Sequence, residues 1–308
     1  MSLSIRLLGT SASRPTIERN VSSVAVHREG ETLMFDCGEG TQRQMMRYGV
    51  SFAVEDIFFT HMHADHLLGV IGLIRTMALQ GRSEGLRLWG PRGSARVLKR
   101  VESLGFERAT FPVEILEIDA NQRLQRNDYE IVGFPVDHRG SASLGYAIVE
   151  AERKGRFNPD LARELGIAEG PLWGKIHRGE DVTLDDGRVI ASRTLVGEKR
   201  PGRTVVITGD TRPCAATIEA ARGADLLIHE ATFGDEEAER AVETGHSTAR
   251  EAAQVARTAE ARRLVLTHFS ARYSRDASEL DREAKSVFSE TLIGKDGMEI
   301  EVPFQSAS

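Results

Sequence analysis

The hexapeptide His61-Met62-His63-Ala64-Asp65-His66 follows directly on Asp56-Ile57-Phe58-Phe59-Thr60, and these residues decide the fold. Asp56 to Thr60 reads as a buried strand that ends at His61. In extended chain, residues two apart point the same way, so His61 and His63 can hold one ion together where the strand stops. Asp65 and His66 are neighbours and can contribute only if the backbone turns. A helix start supplies that turn, because Leu67, Leu68, Ile71, Ile74 and Leu79 recur near helical spacing. The geometry then favours a second ion beside the first.

Working outward, the chain before the hexapeptide reads as short antiparallel strands, Ser4 to Leu8, Ser22 to His27 and Thr32 to Phe35, followed by a helix over Thr41 to Tyr48. After it, strand and helix alternate: strand Leu86 to Trp89, helix Ser94 to Leu104, strands Val113 to Ile118 and Glu130 to Val136. The rhythm resumes later with strand Thr204 to Thr208, helix Ala215 to Arg222, strand Asp225 to His229, helix Thr248 to Glu260, strand Arg263 to Thr267 and helix Ser278 to Phe288. This is a layered α/β pattern. His138, Asp210 and His268 each stand at the C-terminal end of a predicted strand, and strand ends on one sheet edge converge in space. One such histidine alone would be a turn or packing residue. Three of these residues beside the hexapeptide point to a metal centre.

Composition sets the limits. The chain has 308 residues, 40% hydrophobic and 28% charged, which fits one large α/β structure or two medium domains and excludes wholesale disorder. The apolar run from Leu67 to Ile74 stops at Arg75, well short of the roughly 18 residues of a membrane span, so none is expected. Met1 to Leu8 lacks a signal-peptide layout, and two cysteines, Cys37 and Cys214, make no disulfide framework and fit a reducing cytosol. A net charge of −6 argues against nucleic-acid binding over the whole surface and confines any such contact to a local region. Residues 151–203 break the α/β rhythm with frequent glycines and Gly170-Pro171. They hold 11 Lys and Arg against 9 Asp and Glu, a net of +2 that leaves −8 for the rest. This segment reads as an insertion, partly helical around Leu161 to Leu165.

These residues resemble the metallo-β-lactamase superfamily and, within it, the ribonuclease Z family of zinc endonucleases that trim precursor tRNA at the 3′ end. The resemblance spans essentially the whole chain. It is carried by Phe35 to Gln44, the hexapeptide, Val136-Asp137-His138-Arg139, Thr208 to Cys214, His229-Glu230-Ala231-Thr232-Phe233, Gly245-His246-Ser247-Thr248 and Leu266-Thr267-His268-Phe269. It implies a single domain over 1–308 built as a four-layer αββα sandwich, with residues 155–196 as a flexible arm that grips tRNA. It implies two Zn²⁺ per subunit, one held by His61, His63 and His138, the other by Asp65, His66 and His268, with Asp210 bridging. It further implies a cytoplasmic homodimer acting on precursor tRNA.

Two divalent ions about 4 Å apart suit phosphodiester hydrolysis, because together they activate a water and offset charge on the phosphoryl oxygens. Asp65 would orient that water or take its proton while also ligating metal. The departing 3′ oxygen needs a proton, for which His246, oriented and charged by Glu230, is the candidate donor; apart from the resemblance His246 reads equally as a packing residue at a helix N-terminus. Asp36 and Asp137 read as carboxylates that support ligand imidazoles or serve a structural part, rather than as ligands. His27 and His177 read as surface or packing residues and His229 as a structural neighbour of Glu230. Arg139 and Arg212, each beside an expected ligand, read either as contacts to the scissile region or as structural ion pairs. Two other functions compete: a small-molecule hydrolase of the same superfamily (phosphodiesterase, thioesterase or lactonase), and a non-catalytic nucleic-acid-binding protein with a structural metal.

Overall fold

The computed structural model describes residues 2–104 and 109–305. The strands are β1 (Leu3–Gly9), β2 (Ser23–Arg28), β3 (Glu31–Phe35), β4 (Asp56–Phe58), β5 (Leu86–Pro91), β6 (Val113–Ile118), β7 (Arg123–Gln125), β8 (Tyr129–Pro135) and β9 (Leu144–Glu150). They continue with β10 (Val182–Thr183), β11 (Val189–Ile190), β12 (Thr204–Ile207), β13 (Leu226–Glu230), β14 (Leu264–Thr267), β15 (Thr291–Ile293) and β16 (Glu299–Glu301). One seven-stranded sheet runs β16-β1-β2-β3-β4-β5-β6 and another β15-β14-β13-β12-β9-β8-β7. As expected, β1 to β3 pair antiparallel, while β3 to β6 pair parallel.

By contact the chain divides into two compact units, residues 1–149 with 204–303, and residues 150–203 with 304–308. In the first unit, side-chain alternation along each strand sorts the core into layers. Leu3, Ile5 and Leu7 of one sheet share a buried cluster with Val205, Ile207, Leu226 and Ile228 of the other, so the two sheets pack face to face. The intervening Val206 and Leu227 face outward onto helices, chiefly the alanine-rich Ala249–Thr258, with Leu280 and Ala284 of Ser278–Lys285 in the same buried cluster. Ile57 and Leu88 face helices Thr41–Tyr48 and Gly69–Leu79 on the opposite side. The architecture is the αββα sandwich. Helix Ala249–Thr258 starts at a capping box in which Thr248 accepts from the Glu251 amide and Glu251 accepts from the Thr248 amide. Such a cap stabilises a helix by about 1 kcal/mol.

The second unit contains the whole segment expected as the arm, 155–196. It has a small core of its own, Ala162, Ile167, Ile176, Val182 and Leu195, ringed by Phe157, Leu161 and Trp173. Helix Pro159–Glu164 is capped by Asn158, whose side chain accepts from the Leu161 amide, and helix Pro171–His177 opens on the Gly170-Pro171 pair.

Candidate metal centre

Five strand exits build the centre. The chain leaves β4 through Phe59 and Thr60 to His61, and a short helix, Ala64–Leu67, starts at His63 and carries Asp65 and His66. Its first turn supplies the change of direction that the sequence required. His138 follows β8, Asp210 follows β12 and His268 follows β14, while Asp36 follows β3. Asp36, Gly209 and His268 all adopt the left-handed backbone conformation, φ 58°, 64° and 58°, which turns the chain sharply at the strand end. Only glycine fits at 209, since a Cβ there would lie 2.7 Å from Cβ of Thr60.

The expected ligands come together in two adjoining sets. His61, His63, His138 and Asp210 form one, and Asp65, His66 and His268 the other, each with its ligand atoms within 4.8 Å of one another. Asp210 touches both: its Oδ2 lies 3.6 Å from Nε2 of His61, 3.4 Å from His66 and 3.9 Å from His138, and its Oδ1 lies 3.3 Å from Nε2 of His268. Among the described residues, that Oδ1 is buried without a hydrogen bond.

Outer contacts fix the tautomers of four rings. Nδ1 of His66 donates to Asp36 Oδ2 at 2.7 Å, and Nδ1 of His138 donates to the Gly245 carbonyl at 2.8 Å. Thr60 donates its hydroxyl proton to Asp36 and so accepts from Nδ1 of His61 at 3.0 Å. Thr232 likewise donates to Glu230 Oε2 and accepts from Nδ1 of His268. All four rings therefore carry the proton outward and turn an Nε2 lone pair inward. Nε2 of His66 and His268 face each other at 3.3 Å. Converging lone pairs and an orphaned carboxylate oxygen, each braced from behind, fit a divalent metal.

Electrostatics agree in part: burial opposes charge on His66, but Asp210 and Asp36 raise its pKa well above the ordinary value, so in the absence of a metal it holds a proton that a bound cation would replace. Burial resists ionisation of Asp65, yet the adjoining His268 and His66, when those rings carry a proton, hold its carboxyl well below the usual range. Burial also opposes charge on Asp210, and His268 and His66 outweigh it. Burial drives His61 and His63 toward the neutral form a ligand needs.

His246 lies between helix Ala238–Thr244 and helix Ala249–Thr258, its ring 4.9 Å from His138 and 5.4 Å from His268 between centroids. Its Nδ1 donates to Glu230 Oε1 at 2.8 Å. Burial pulls the imidazole down in pKa, but the adjoining Glu230 carboxylate raises it to about 9. Glu230 is itself buried, which opposes ionisation, and the charge of His246 keeps it below its ordinary value. His246 also groups with Asp210 and His268 as a possible metal-holding set.

The sequence matches the β-lactamase superfamily domain over residues 31–199 and 187–269. It is 69% identical over 303 residues to a ribonuclease Z of Gemmatimonas aurantiaca, covering 98% of this chain and 96% of that one. It is 53% identical over 304 residues to a ribonuclease Z of Myxococcus xanthus, covering 98% and 99%. The chain belongs to the ribonuclease Z family. Among solved structures, the short form of human tRNase Z superposes with a TM-score of 0.71 at 28% identity, covering 98% of this chain and all of that one.

Within this ribonuclease Z-family chain, several contacts at the centre carry no sequence signal. Thr60, Thr232, the Gly245 carbonyl and the Ser13 amide, which donates to Asp65 Oδ2 at 2.7 Å, all brace expected site residues. Asp36 braces His66 through its side chain, whereas Asp137 acts through its backbone, its carbonyl accepting from the Arg212 amide at 2.7 Å. Of the two readings of Arg212, the structure supports the ion pair: its guanidinium donates to the His246 carbonyl at 2.6 Å and to both oxygens of Glu251. Arg139 is exposed. His27 pairs with Thr32, and His177 is exposed beside Phe157. Among the described residues, no helix is long and apolar enough to cross a membrane.

Proposed function

We propose that this chain is an endoribonuclease that cuts precursor tRNA at the 3′ side, releasing the trailer with a 5′-phosphate and leaving a 3′-hydroxyl on the tRNA. The observation that carries the reading is the pairing of two ligand sets through Asp210 with a His246–Glu230 dyad at their edge. In this reading His61, His63, His138 and Asp210 hold one Zn²⁺, and Asp65, His66, His268 and Asp210 hold a second, as the mixed imidazole and carboxylate donors suit. When bound, such a pair acidifies a water and offsets charge on the phosphoryl oxygens.

The chain's own residues manage position and protons. Asp65, kept ionised and fixed by the Ser13 amide, accepts the proton of the attacking water. As the new oxygen–phosphorus bond forms, the bond from phosphorus to the tRNA 3′ oxygen breaks, and His246 donates the proton at Nε2 to that oxygen. Its Nδ1 stays on Glu230, which orients the ring and balances its charge. The Thr211 amide at 2.9 Å and the Thr232 hydroxyl at 2.7 Å hold the carboxylate in turn.

The second unit supplies the tRNA contact in this reading. Arg153, Lys154, Arg156, Lys175 and Arg178 lie along it, and folded tRNA is recognised mostly through shape and phosphates. A homodimer working in the cytoplasm completes the proposal on the strength of family membership. The test combines metal analysis with mapping of both ends after cleavage of a precursor tRNA. Two equivalents of zinc, a tRNA 3′-hydroxyl and a trailer 5′-phosphate are expected. A 3′-phosphate, or cleavage that survives full metal removal, would overturn the reading.

A further inference from the structure

The second unit begins as a two-stranded stem. The chain enters this unit at Glu150 and leaves it at Arg203, with the Glu150 amide on the Arg203 carbonyl at 2.9 Å. Arg153 and Arg200 exchange both backbone hydrogen bonds, at 2.7 and 2.8 Å, and Phe157 bridges to Val196. The two runs approach so closely at Gly155 that a Cβ there would lie 1.8 Å from the Gly197 carbonyl oxygen.

This close pairing gathers like charge. Residues 150–157 carry Arg153, Lys154 and Arg156, and residues 196–203 carry Lys199, Arg200 and Arg203, six cations against the acids Glu150, Glu152 and Glu198. Glu150 is committed to Arg203, with contacts of 2.7 and 2.8 Å, and Glu152 lies 3.3 Å from Lys199. Left to themselves the two runs would be pushed apart by their guanidinium groups.

One aromatic ring meets a cation from each run. Phe304, three residues beyond β16, has Cζ of Arg153 3.4 Å and Cζ of Arg203 3.9 Å from its ring centroid. The negative face of an aromatic ring attracts guanidinium, so one ring serving both cations turns a repulsion between the runs into a shared attraction.

We infer that Phe304 is a positioning residue that clamps the stem of the arm, holding it ordered before precursor tRNA binds. The inference rests on the proposed role of the arm in tRNA binding. An arm already ordered loses less conformational freedom on binding, so the clamp acts on affinity and leaves the chemical step alone.

The test compares F304L, which keeps an apolar side chain but loses the ring, with F304Y, which keeps the ring, in the full chain. Amide hydrogen exchange at Arg153 and Arg200 should quicken on the order of tenfold in F304L and stay near wild type in F304Y. KM for precursor tRNA should rise several-fold in F304L with kcat unchanged and be restored in F304Y, while hydrolysis of bis(p-nitrophenyl) phosphate stays constant. Unchanged exchange in F304L, or equal effects in both variants, would overturn the clamp. Faster exchange with an unchanged KM would leave the clamp standing and refute the arm's part in binding tRNA.

Discussion

Replacing His246 by Ala removes the proton donor that the proposed mechanism assigns to the leaving 3′ oxygen, and the structure bounds the effect. Asp65 and Glu230 are held ionised, and with metal bound the Nε2 atoms of four other imidazoles at the centre would be taken up as ligands and carry no proton. No second acid stands ready among the described residues, so the full general-acid contribution is at stake. That contribution is about 10²–10⁴ in rate, or roughly 3–5 kcal/mol of barrier. The ligand rings are braced by Asp36, Thr60, Thr232 and the Gly245 carbonyl, none of which depends on the His246 side chain, so the variant should keep its metal. Single-turnover cleavage of precursor tRNA is then compared with hydrolysis of bis(p-nitrophenyl) phosphate, whose p-nitrophenolate departs without needing a proton. The expected outcome is a loss of about 10²–10⁴ on tRNA and less than about tenfold on the small ester. Equal losses on both substrates, at undiminished metal content, would refute the assignment of His246 as the acid.

Other perturbations test the supports. In E230Q every partner of the carboxylate is a donor, namely His246 Nδ1, the amides of Thr211 and Thr232 and the Thr232 hydroxyl, so an amide NH₂ must face at least one of them. The variant should lose about 1–3 kcal/mol of stability in urea denaturation as well as activity on precursor tRNA. D36N removes the charge behind His66, and G209A forces a Cβ against Thr60 and so shifts the support of His61. Each should weaken metal binding about 10–100-fold in competition with a chelator, with the fold retained by circular dichroism. His229 is fully buried, its Nδ1 on the Glu230 carbonyl and its Nε2 without a partner among the described residues, and burial lowers its pKa. The unfolded chain therefore binds a proton there more readily than the folded one below about pH 6.5. Stability should fall as pH drops from that value through the lowered folded one. H229L should flatten this slope in urea midpoints measured from pH 5 to 7.5.

What the sequence revealed and what it concealed divide along a physical line. The hexapeptide is legible because strand periodicity and a helix start are local properties, and His138, Asp210 and His268 stand out only together, as three strand ends beside it. Strand β9 was invisible because nearly all of Leu144 to Glu150 is buried on both faces, which erases the alternation that betrays a half-exposed strand. β15 and β16, three residues each, exist only through their neighbours β14 and β1. The braces were hidden for a different reason: a hydroxyl or a carbonyl has no distinctive spacing, and the Gly245 carbonyl reaches His138 from 107 residues away. Arg212 shows how adjacency misleads, since standing two residues from Asp210 it turns instead to Glu251 and the His246 carbonyl. The sharpest gap between local and global preference lies at Asp36 and His268, non-glycine residues held at positive φ, each at a cost of roughly 1–2 kcal/mol. Neither residue would choose that conformation by itself. Each holds it while its side chain is hydrogen-bonded within the centre, Asp36 to Thr60 and His66, His268 to Thr232. Strain placed at these two strand exits, on residues whose side chains hold or supply the ligand rings, is what a scaffold bent locally to converge its ligands would show.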